Sequence, residues 1–213
     1  PRPPTIEAAA RVMVCDDSLV IRGAIARMLQ ADPRIQVTAR VSNGRQAIEE
    51  MRRQKFDVII LDIEMPEMDG MTALPLLLRA DPAVRVIMAS TLTTRGAEIA
   101  MRALRLGAAD YIPKPSVEAI TDDSFRRELL EKVIGLARLR HHSGHPNKPV
   151  PAQGLRPMGK LAPLLLAIGS STGGPQALFT FIRGLGRDVR VPVILTQHMP
   201  ATFTPLLAEH IHK

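Results

Sequence analysis

The sequence Asp-Val-Ile-Ile-Leu-Asp occupies residues 57 to 62 and is followed by Ile-Glu-Met-Pro-Glu-Met-Asp-Gly at residues 63 to 70. The apolar run is short and rich in β-branched residues, so it predicts a buried parallel strand. Its last residue, Asp62, would emerge at the carboxyl end of the strand, and the Pro and Gly beyond it predict a turn. Because open α/β sheets bind ligands at that edge, this segment predicts a ligand site at Asp62.

Two more carboxylates, Asp16 and Asp17, directly follow a second short apolar run at residues 11 to 15. One alternative is that this acidic pair only caps the next helix. If the pair instead converges with Asp62 within about 4 Å, each pair of charges repels by roughly 4 kcal/mol at an effective dielectric constant of 20, so a cation is required. Oxygen ligands suit Mg²⁺, and an Asp can attack a phosphoryl donor. Lys114 would then pair with the new phosphate.

Further residues extend this pattern. Ser90 ends an apolar run at residues 84 to 89, and residues 111 to 115 are Tyr-Ile-Pro-Lys-Pro. Together with the acidic pair and the segment that ends at Gly70, these motifs resemble a two-component receiver domain. The resemblance covers residues 11 to 138.

The resemblance to receiver domains implies a phosphate switch with a metal ion. Asp62 would accept phosphate from a histidine kinase. Asp17, Asp62 and the backbone carbonyl of Glu64 would hold Mg²⁺, and Asp16 would lie behind them in the same metal site.

The resemblance also implies which side chains respond to phosphate. Ser90 would supply the hydroxyl that moves to the phosphoryl oxygen, Tyr111 the ring that turns inward with it, and Lys114 the cation. Thr91 is an alternative switch hydroxyl, but Ser90 follows the apolar run directly. The alternative for Tyr111 is a half-buried strand aromatic without coupling to phosphate.

Composition restricts the class of protein. The chain has 213 residues, which exceeds the usual size of a single domain and favours more than one. Of these residues 46% are hydrophobic and 23% charged, which is typical of a globular protein. The single Cys, Cys15, cannot form an internal disulfide, which favours a reducing compartment. No segment has the apolar length of a membrane span, so we expect a cytoplasmic protein without membrane insertion.

The formal net charge of +7 and the pI near 10.3 raise the question of nucleic-acid binding. The basic residues are dispersed along predicted helices, and no helix-turn-helix signature follows the receiver motifs. Only 3% of residues are aromatic, which leaves few stacking platforms for single strands. We therefore expect no nucleic-acid partner, and instead a basic surface that faces an acidic partner.

Strand and helix patterns alternate along the chain, which predicts a parallel sheet with helices on both faces. The predicted fold class is α/β, with a doubly wound, five-stranded, flavodoxin-like receiver domain at residues 11 to 140. A linker follows at residues 141 to 163, and the start of a second, Rossmann-like α/β domain at residues 164 to 213. In the receiver the predicted strands are 11 to 15, 35 to 41, 57 to 61, 84 to 90 and 109 to 112, and the predicted helices are 18 to 30, 44 to 53, 70 to 79, 95 to 106 and 123 to 140.

The second informative segment is Gly-Ser-Ser-Thr-Gly-Gly-Pro at residues 169 to 175, between a predicted buried strand at 164 to 168 and a helix that begins near Gln176. Such a turn can cradle phosphate, bind a dinucleotide or expose a nucleophilic serine. No Lys follows the glycines, as a Walker motif requires, and their spacing does not match the dinucleotide pattern. The Gly-x-Ser-x-Gly spacing matches a nucleophile elbow centred on Ser171.

A strand predicted at residues 191 to 195 leads into Thr-Gln-His-Met-Pro at 196 to 200. If a right-handed crossover makes the two strands parallel neighbours, about 4.8 Å apart, Ser171 and His198 leave the same edge of the sheet. That arrangement would give the serine a general base. The alternative is that His198 caps the helix that begins near Ala201.

The receiver motifs, the basic linker, the glycine-rich turn and the Thr-Gln-His-Met-Pro segment together resemble the chemotaxis protein-glutamate methylesterase (CheB) family. The resemblance implies hydrolysis of glutamate methyl esters, and deamidation of glutamines, on the cytoplasmic domains of chemoreceptors. Ser171 would attack, His198 would transfer the proton, and backbone N–H groups at Thr172 and Gly173 would stabilise the oxyanion, without a cofactor. Phosphorylation of Asp62 would release inhibition by the receiver.

One departure from the family concerns the third triad residue, an Asp that lies far downstream of the histidine in family members. No residue up to Lys213 can be assigned that role. Two strands and two helices over about 50 residues would also leave sheet edges unpaired. We therefore expect an N-terminal portion of a longer protein, inactive as an esterase on its own. The alternative is a response regulator with a receiver function only, which signals through protein contacts.

Overall fold

The computed structural model describes residues 9–91, 93–115, 123–143, 163–185 and 189–212. In the first half, the predicted bounds agree with the structure within one residue, except that the last helix ends three residues later. The strands are β1 (Ala10–Cys15), β2 (Ile35–Val41), β3 (Val58–Asp62), β4 (Arg85–Ser90) and β5 (Asp110–Pro113). The helices are α1 (Leu19–Gln30), α2 (Gly44–Arg53), α3 (Gly70–Ala80), α4 (Thr94–Arg105) and α5 (Asp123–Ser143).

These five strands form one parallel sheet in the order β2-β1-β3-β4-β5. The predicted doubly wound α/β fold is therefore confirmed. The strand order reverses between β1 and β3, which pair in register from Val12 with Val58 to Cys15 with Leu61. The carboxyl ends of β1 and β3 thus lie side by side at the point where such sheets bind ligands.

The core consists of two apolar layers, one on each face of the sheet. Met13 and Ile59 face α2, α3 and α4, whereas Val14 and Ile60 face α1 and α5. Successive side chains of a strand point to opposite faces, so a strand covered on both sides must be apolar throughout. This explains why the central strands β1, β3 and β4 are nearly continuous apolar runs.

The start of α1 decides between the two interpretations of the acidic pair. Ser18, not Asp16 or Asp17, is the N-cap of α1, because its hydroxyl accepts a hydrogen bond from the Ile21 N–H. Asp16 Oδ1 accepts a hydrogen bond from the Ser18 N–H at 2.9 Å. The acidic pair therefore lies before the helix and does not cap it.

The second segment, which we define as residues 163–185 and 189–212, has its own two-stranded parallel sheet. Its elements are β6 (Leu166–Ser170), α6 (Gly174–Gly184), β7 (Val193–Gln197), a short 3₁₀ helix (Ala201–Phe203) and α7 (Thr204–His212). The predicted buried strand at residues 164 to 168 is wrong in two respects. The strand begins at Leu166, and its residues are half-buried or exposed, because in the described ranges β6 pairs only with β7.

The helices of the second segment pack against the first half of the chain. Phe179, Phe203 and Leu207 join the apolar layer formed by α2, α3 and α4. The side chain of Gln176 donates hydrogen bonds to the backbone carbonyls of Leu104 and Ala108. The second segment is therefore attached on the side of α4 and β5.

Most of the predicted linker, from residue 144 to residue 162, lies outside the described residues, and the domain limits remain predictions. Helix α5 continues through Ser143. None of the helices within the described ranges combines the length and the apolar character that crossing a membrane requires.

Candidate functional site

The three predicted acidic residues meet at the carboxyl edge of the first sheet. Asp16 and Asp17 follow β1, and Asp62 is the last residue of β3. One carboxylate oxygen from each lies within 4.8 Å of the other two. Asp16 and Asp62 are buried, whereas Asp17 is exposed at the mouth of this acidic pocket.

Lys114 places its ammonium group between the two buried carboxylates. Its Nζ lies 2.6 Å from Asp62 Oδ2 and 3.3 Å from Asp16 Oδ2. Its backbone N–H donates to the carbonyl of Ser90 at 2.7 Å, which fixes the residue beyond the end of β5. Apart from this ammonium, neither Oδ2 has a hydrogen-bond partner in the described part of the chain.

Burial dominates the electrostatics of the acidic pocket. It raises the pKa of Asp62 to about 6 even though Lys114 lowers it, and it raises the pKa of Asp16. Burial by itself would lower the pKa of Lys114, but the hydrogen bond to Asp62 and the two carboxylate charges outweigh it and raise that pKa. The pocket therefore has more buried negative charge than one ammonium compensates.

The donor set of the pocket fits a hard divalent cation. All three side-chain donors are carboxylate oxygens, which suit Mg²⁺. Asp16 and Asp62 each bury one carboxylate oxygen, Oδ2, whose partner in the described ranges is Lys114, whereas Asp17 is exposed. Glu64 lines two neighbouring pockets, one together with Asp62 and the other together with Asp17.

Ser90, the last residue of β4, lies beside the same pocket. It is 2% exposed, and its hydroxyl has no hydrogen-bond partner in the described ranges. A cavity of about 20 Å³, room for one water-sized group, is lined by Asp62, Ser90 and Lys114, with Glu64, Ile63, Thr91, Gly96 and Ile99 around them. The exposed Thr91 hydroxyl instead lies 3.3 Å from that of Thr93, outside β4.

Tyr111 is enclosed rather than half-buried. Its ring stacks on Phe203 of the second segment, with centroids 4.2 Å apart and planes at 7°, and Lys132 Nζ lies 5.3 Å from its centroid. Burial raises the pKa of the phenol well above its usual range. Sequence reasoning singled out neither Phe203 nor Lys132, because no local pattern links them to Tyr111.

Ser171 and His198 follow the paired strands β6 and β7 directly. Ser170 pairs with Gln197 in the parallel register, so the next residue of each strand leaves the sheet at the same level. Both side chains are exposed. Within the described ranges no hydrogen bond joins the Ser171 hydroxyl to the His198 ring, so the structure shows the two side by side but not engaged.

The glycine-rich turn after Ser171 is held by the first half of the chain. Gly173 has φ +70°, a left-handed conformation that favours glycine, and it precedes α6. Its N–H, a predicted oxyanion donor together with Thr172, donates to Asp110 Oδ2 at 2.9 Å. Asp110 is buried at the start of β5, and sequence reasoning missed it because its partner lies 63 residues away.

Comparison with protein families matches both halves of the chain. The model of the response regulator receiver domain matches residues 12–124, and that of the CheB methylesterase matches residues 166–213. The chain belongs to the response regulator receiver family. The resemblance to the CheB methylesterase family, predicted from the motifs, is confirmed by relatives of both halves.

Two curated relatives and one solved structure illustrate the similarity. The chain is 49% identical to a protein-glutamate methylesterase/protein-glutamine glutaminase of Rhodospirillum centenum, over 94% of this chain and 59% of that protein. It is 50% identical to the protein of the same name from Azospirillum brasilense, over 94% of this chain and 57% of that protein. The response regulator domain of Thermotoga maritima CheB is 39% identical, with a TM-score of 0.54, over 61% of this chain and 97% of that structure. The chain thus spans about three fifths of the length of these curated relatives.

Replacing Gly70 by Ala should distort the loop that supports Asp62. A Cβ at residue 70 would clash with the backbone carbonyl oxygen of Asp62, so the backbone has to shift. We expect the free energy of unfolding, measured with urea, to fall by about 1–3 kcal/mol.

The matched control is Gly23→Ala in α1, where an added Cβ meets nothing within 4 Å. This variant should be more stable than the wild type by about 0.5–1 kcal/mol, because alanine favours a helix. If Gly70→Ala is as stable as Gly23→Ala, the loop does not depend on the close approach at residue 70.

Proposed function

We propose that this protein is a phosphorylation-regulated methylesterase of chemotaxis that hydrolyses glutamate methyl esters, and deamidates glutamines, on chemoreceptors. One observation supports this proposal above the others. A pocket suited to phosphoryl transfer and a Ser-His pair on adjacent parallel strands occur in one chain, and β5 is bonded to the glycine-rich turn. The names of the relatives agree with this combination.

In the proposed phosphorylation step, a carboxylate oxygen of Asp62 attacks the phosphorus atom of the donor, and the leaving group of the donor departs. Lys114, which lies 2.6 Å from Asp62 Oδ2, would pair with the phosphoryl group. Asp17, Asp62 and the backbone carbonyl of Glu64 would hold Mg²⁺, with Asp16 behind them, and the bound ion supplies charge that offsets the carboxylates and the phosphoryl oxygens.

The response to phosphate would begin at Ser90. Its hydroxyl is buried without a partner beside Asp62, so a phosphoryl oxygen would give it a hydrogen-bond acceptor. Movement of Ser90 towards Asp62 would open space next to it, into which Tyr111 would turn. This sequence of events links the acidic pocket to the side of the domain on which the second segment packs.

In the proposed esterase step, Ser171 Oγ attacks the ester carbonyl and His198 accepts the hydroxyl proton. The N–H groups of Thr172 and Gly173 would stabilise the oxyanion, and His198 would return the proton to the departing methanol. Water would then hydrolyse the acyl-enzyme, which releases the glutamate side chain and restores the Ser171 hydroxyl. The exposed position of Ser171 and His198 suits a substrate as large as a receptor. Because Asp110 occupies the Gly173 N–H, we propose that the arrangement described is the inhibited one.

The proposed partners follow from these two steps. A histidine kinase would supply the phosphoryl group, and the cytoplasmic domains of chemoreceptors would supply the substrate glutamates. The protein would then act in the cytoplasm. A receiver that signals by protein contacts alone remains the second candidate. The open pairing of Ser171 and His198, without a hydrogen bond between them in the described residues, is the observation in its favour.

Asp62→Asn should abolish phosphorylation by a small phosphodonor in the presence of Mg²⁺, because the amide is not a nucleophile for phosphorus. Incorporation of labelled phosphate into the full chain measures this. Asp57→Asn, the same change one residue before β3, is a matched control and should be labelled like the wild type. Undiminished labelling of Asp62→Asn would exclude Asp62 as the acceptor.

Methanol release from methylated receptor tests the esterase. For residues 1 to 213 alone we expect no measurable release, because no residue here is assigned to orient His198, and loss of that residue in a Ser-His-Asp hydrolase costs about 10⁴-fold in turnover. A chimera that adds the unmatched part of the Azospirillum brasilense relative should release methanol when a phosphodonor is present.

In that chimera Ser171→Ala should abolish release, whereas Ser170→Ala, the same change one residue earlier, should retain most of it. Release that survives Ser171→Ala would reject Ser171 as the nucleophile. A chimera that accepts phosphate but releases no methanol would favour the receiver-only function.

A further inference from the structure

We propose that Phe203, in the second segment, restrains the phosphate switch of the receiver by stacking on Tyr111. The two rings are stacked, with centroids 4.2 Å apart and planes at 7°. Tyr111 is 3% exposed and Phe203 is 1% exposed, so each ring covers the other from solvent. This inference rests on the proposed function, because it takes Asp62 as the phosphate acceptor.

The strand register places Tyr111 next to Ser90. Met88 pairs with Tyr111, and Ser90 pairs with Pro113, in the parallel ladder of β4 and β5. Since side chains alternate along a strand, Met88, Ser90 and Tyr111 all face the side of the sheet that α4 covers. The small cavity beside Ser90 is lined by Ile99 of α4 but not by Tyr111.

The ring of Tyr111 therefore lies on Phe203 and outside this cavity, which is too small for it. After phosphorylation the ring would turn into the space that Ser90 leaves when it moves towards Asp62. It cannot stack on Phe203 and fill the space beside Ser90 at the same time, so the two positions exclude each other. By linkage, if phosphate at Asp62 favours the inward ring, the stack must weaken phosphate binding by the same factor. Stacked aromatic pairs of this kind are worth about two- to tenfold in an equilibrium constant.

Polar contacts hold the second segment on this face without the help of Phe203. Asp110 Oδ2 accepts a hydrogen bond from the Gly173 N–H at 2.9 Å. The side chain of Gln176 donates to the backbone carbonyls of Leu104 and Ala108. Removal of the Phe203 ring should therefore free Tyr111 while the second segment stays attached.

The composition of the chain supplies a direct probe. It contains one tyrosine and no tryptophan, so its intrinsic fluorescence comes from Tyr111. We would titrate the full chain with beryllofluoride, a mimic of the phosphoryl group, in the presence of Mg²⁺, and follow tyrosine fluorescence. The proteins compared are the wild type, Phe203→Ala, Phe203→Leu and the control Phe181→Ala, whose side chain on α6 is 46% exposed.

Phe203→Ala should bind beryllofluoride about two- to tenfold more tightly than the wild type, and its tyrosine emission should already differ before the titration. Phe203→Leu retains an apolar side chain without a ring and should shift affinity in the same direction. Phe181→Ala should match the wild type in both measurements. A purely structural role for Phe203 would lower the melting temperature but leave the affinity unchanged.

Equal affinities of the wild type and both Phe203 variants would overturn the proposal, even though the phosphoacceptor function would stand. Failure of every protein to bind beryllofluoride, together with failure to label Asp62, would overturn that function and this inference with it. The two failures are therefore distinguishable.

Discussion

The ammonium group of Lys114 between two buried carboxylates is the interaction on which the rest of the receiver site depends. Asp16 and Asp62 are each 1% exposed, and burial raises the pKa of both. Burying two unpaired carboxylates would cost much of the free energy of folding. The ends of β1 and β3 can therefore lie side by side only if a cation pairs with both carboxylates. Lys114 reaches this point because β5 lies beside β4 and its backbone bonds to Ser90. One contact thereby joins β1, β3, β4 and β5 at a single edge.

The same edge would also allow a phosphoryl group to act as a signal. The acidic pocket has an excess of buried negative charge and a buried Ser90 hydroxyl without a partner in the described ranges. A phosphoryl group with its metal would change both the charge balance and the hydrogen bonding at once. Tyr111 faces the same side of the sheet two residues before the position that pairs with Ser90, so the change has a short path to the surface that contacts the second segment.

Sequence patterns correctly predicted the strands, turns and strand pairings that depend on residues close together in the chain. An apolar run predicted the strand that ends at Asp62, and a glycine predicted the turn at Gly70. The handedness of crossovers predicted the parallel pairing of the two strands that precede Ser171 and His198. The same patterns erred where burial depends on the other layers of the fold. The strand expected to be buried at residues 164 to 168 is half-buried or exposed. Hydrophobic residues favour burial of a strand, but a second layer of the fold must be present to cover it.

The doubly wound fold and the acidic residues of the pocket could be predicted from the chain alone, because local periodicity and the residue types at strand ends encode them. The family followed from the resemblance of its motifs. Only the tertiary structure decided that Ser18 caps α1, that Asp110 bonds to the Gly173 N–H, and that Tyr111 stacks on Phe203. Asp110 and Gly173 are separated by 63 positions in the sequence, and Tyr111 and Phe203 by 92. No periodicity extends over such a separation, so these contacts exist only once α4 and β5 present a surface against which the second segment can pack.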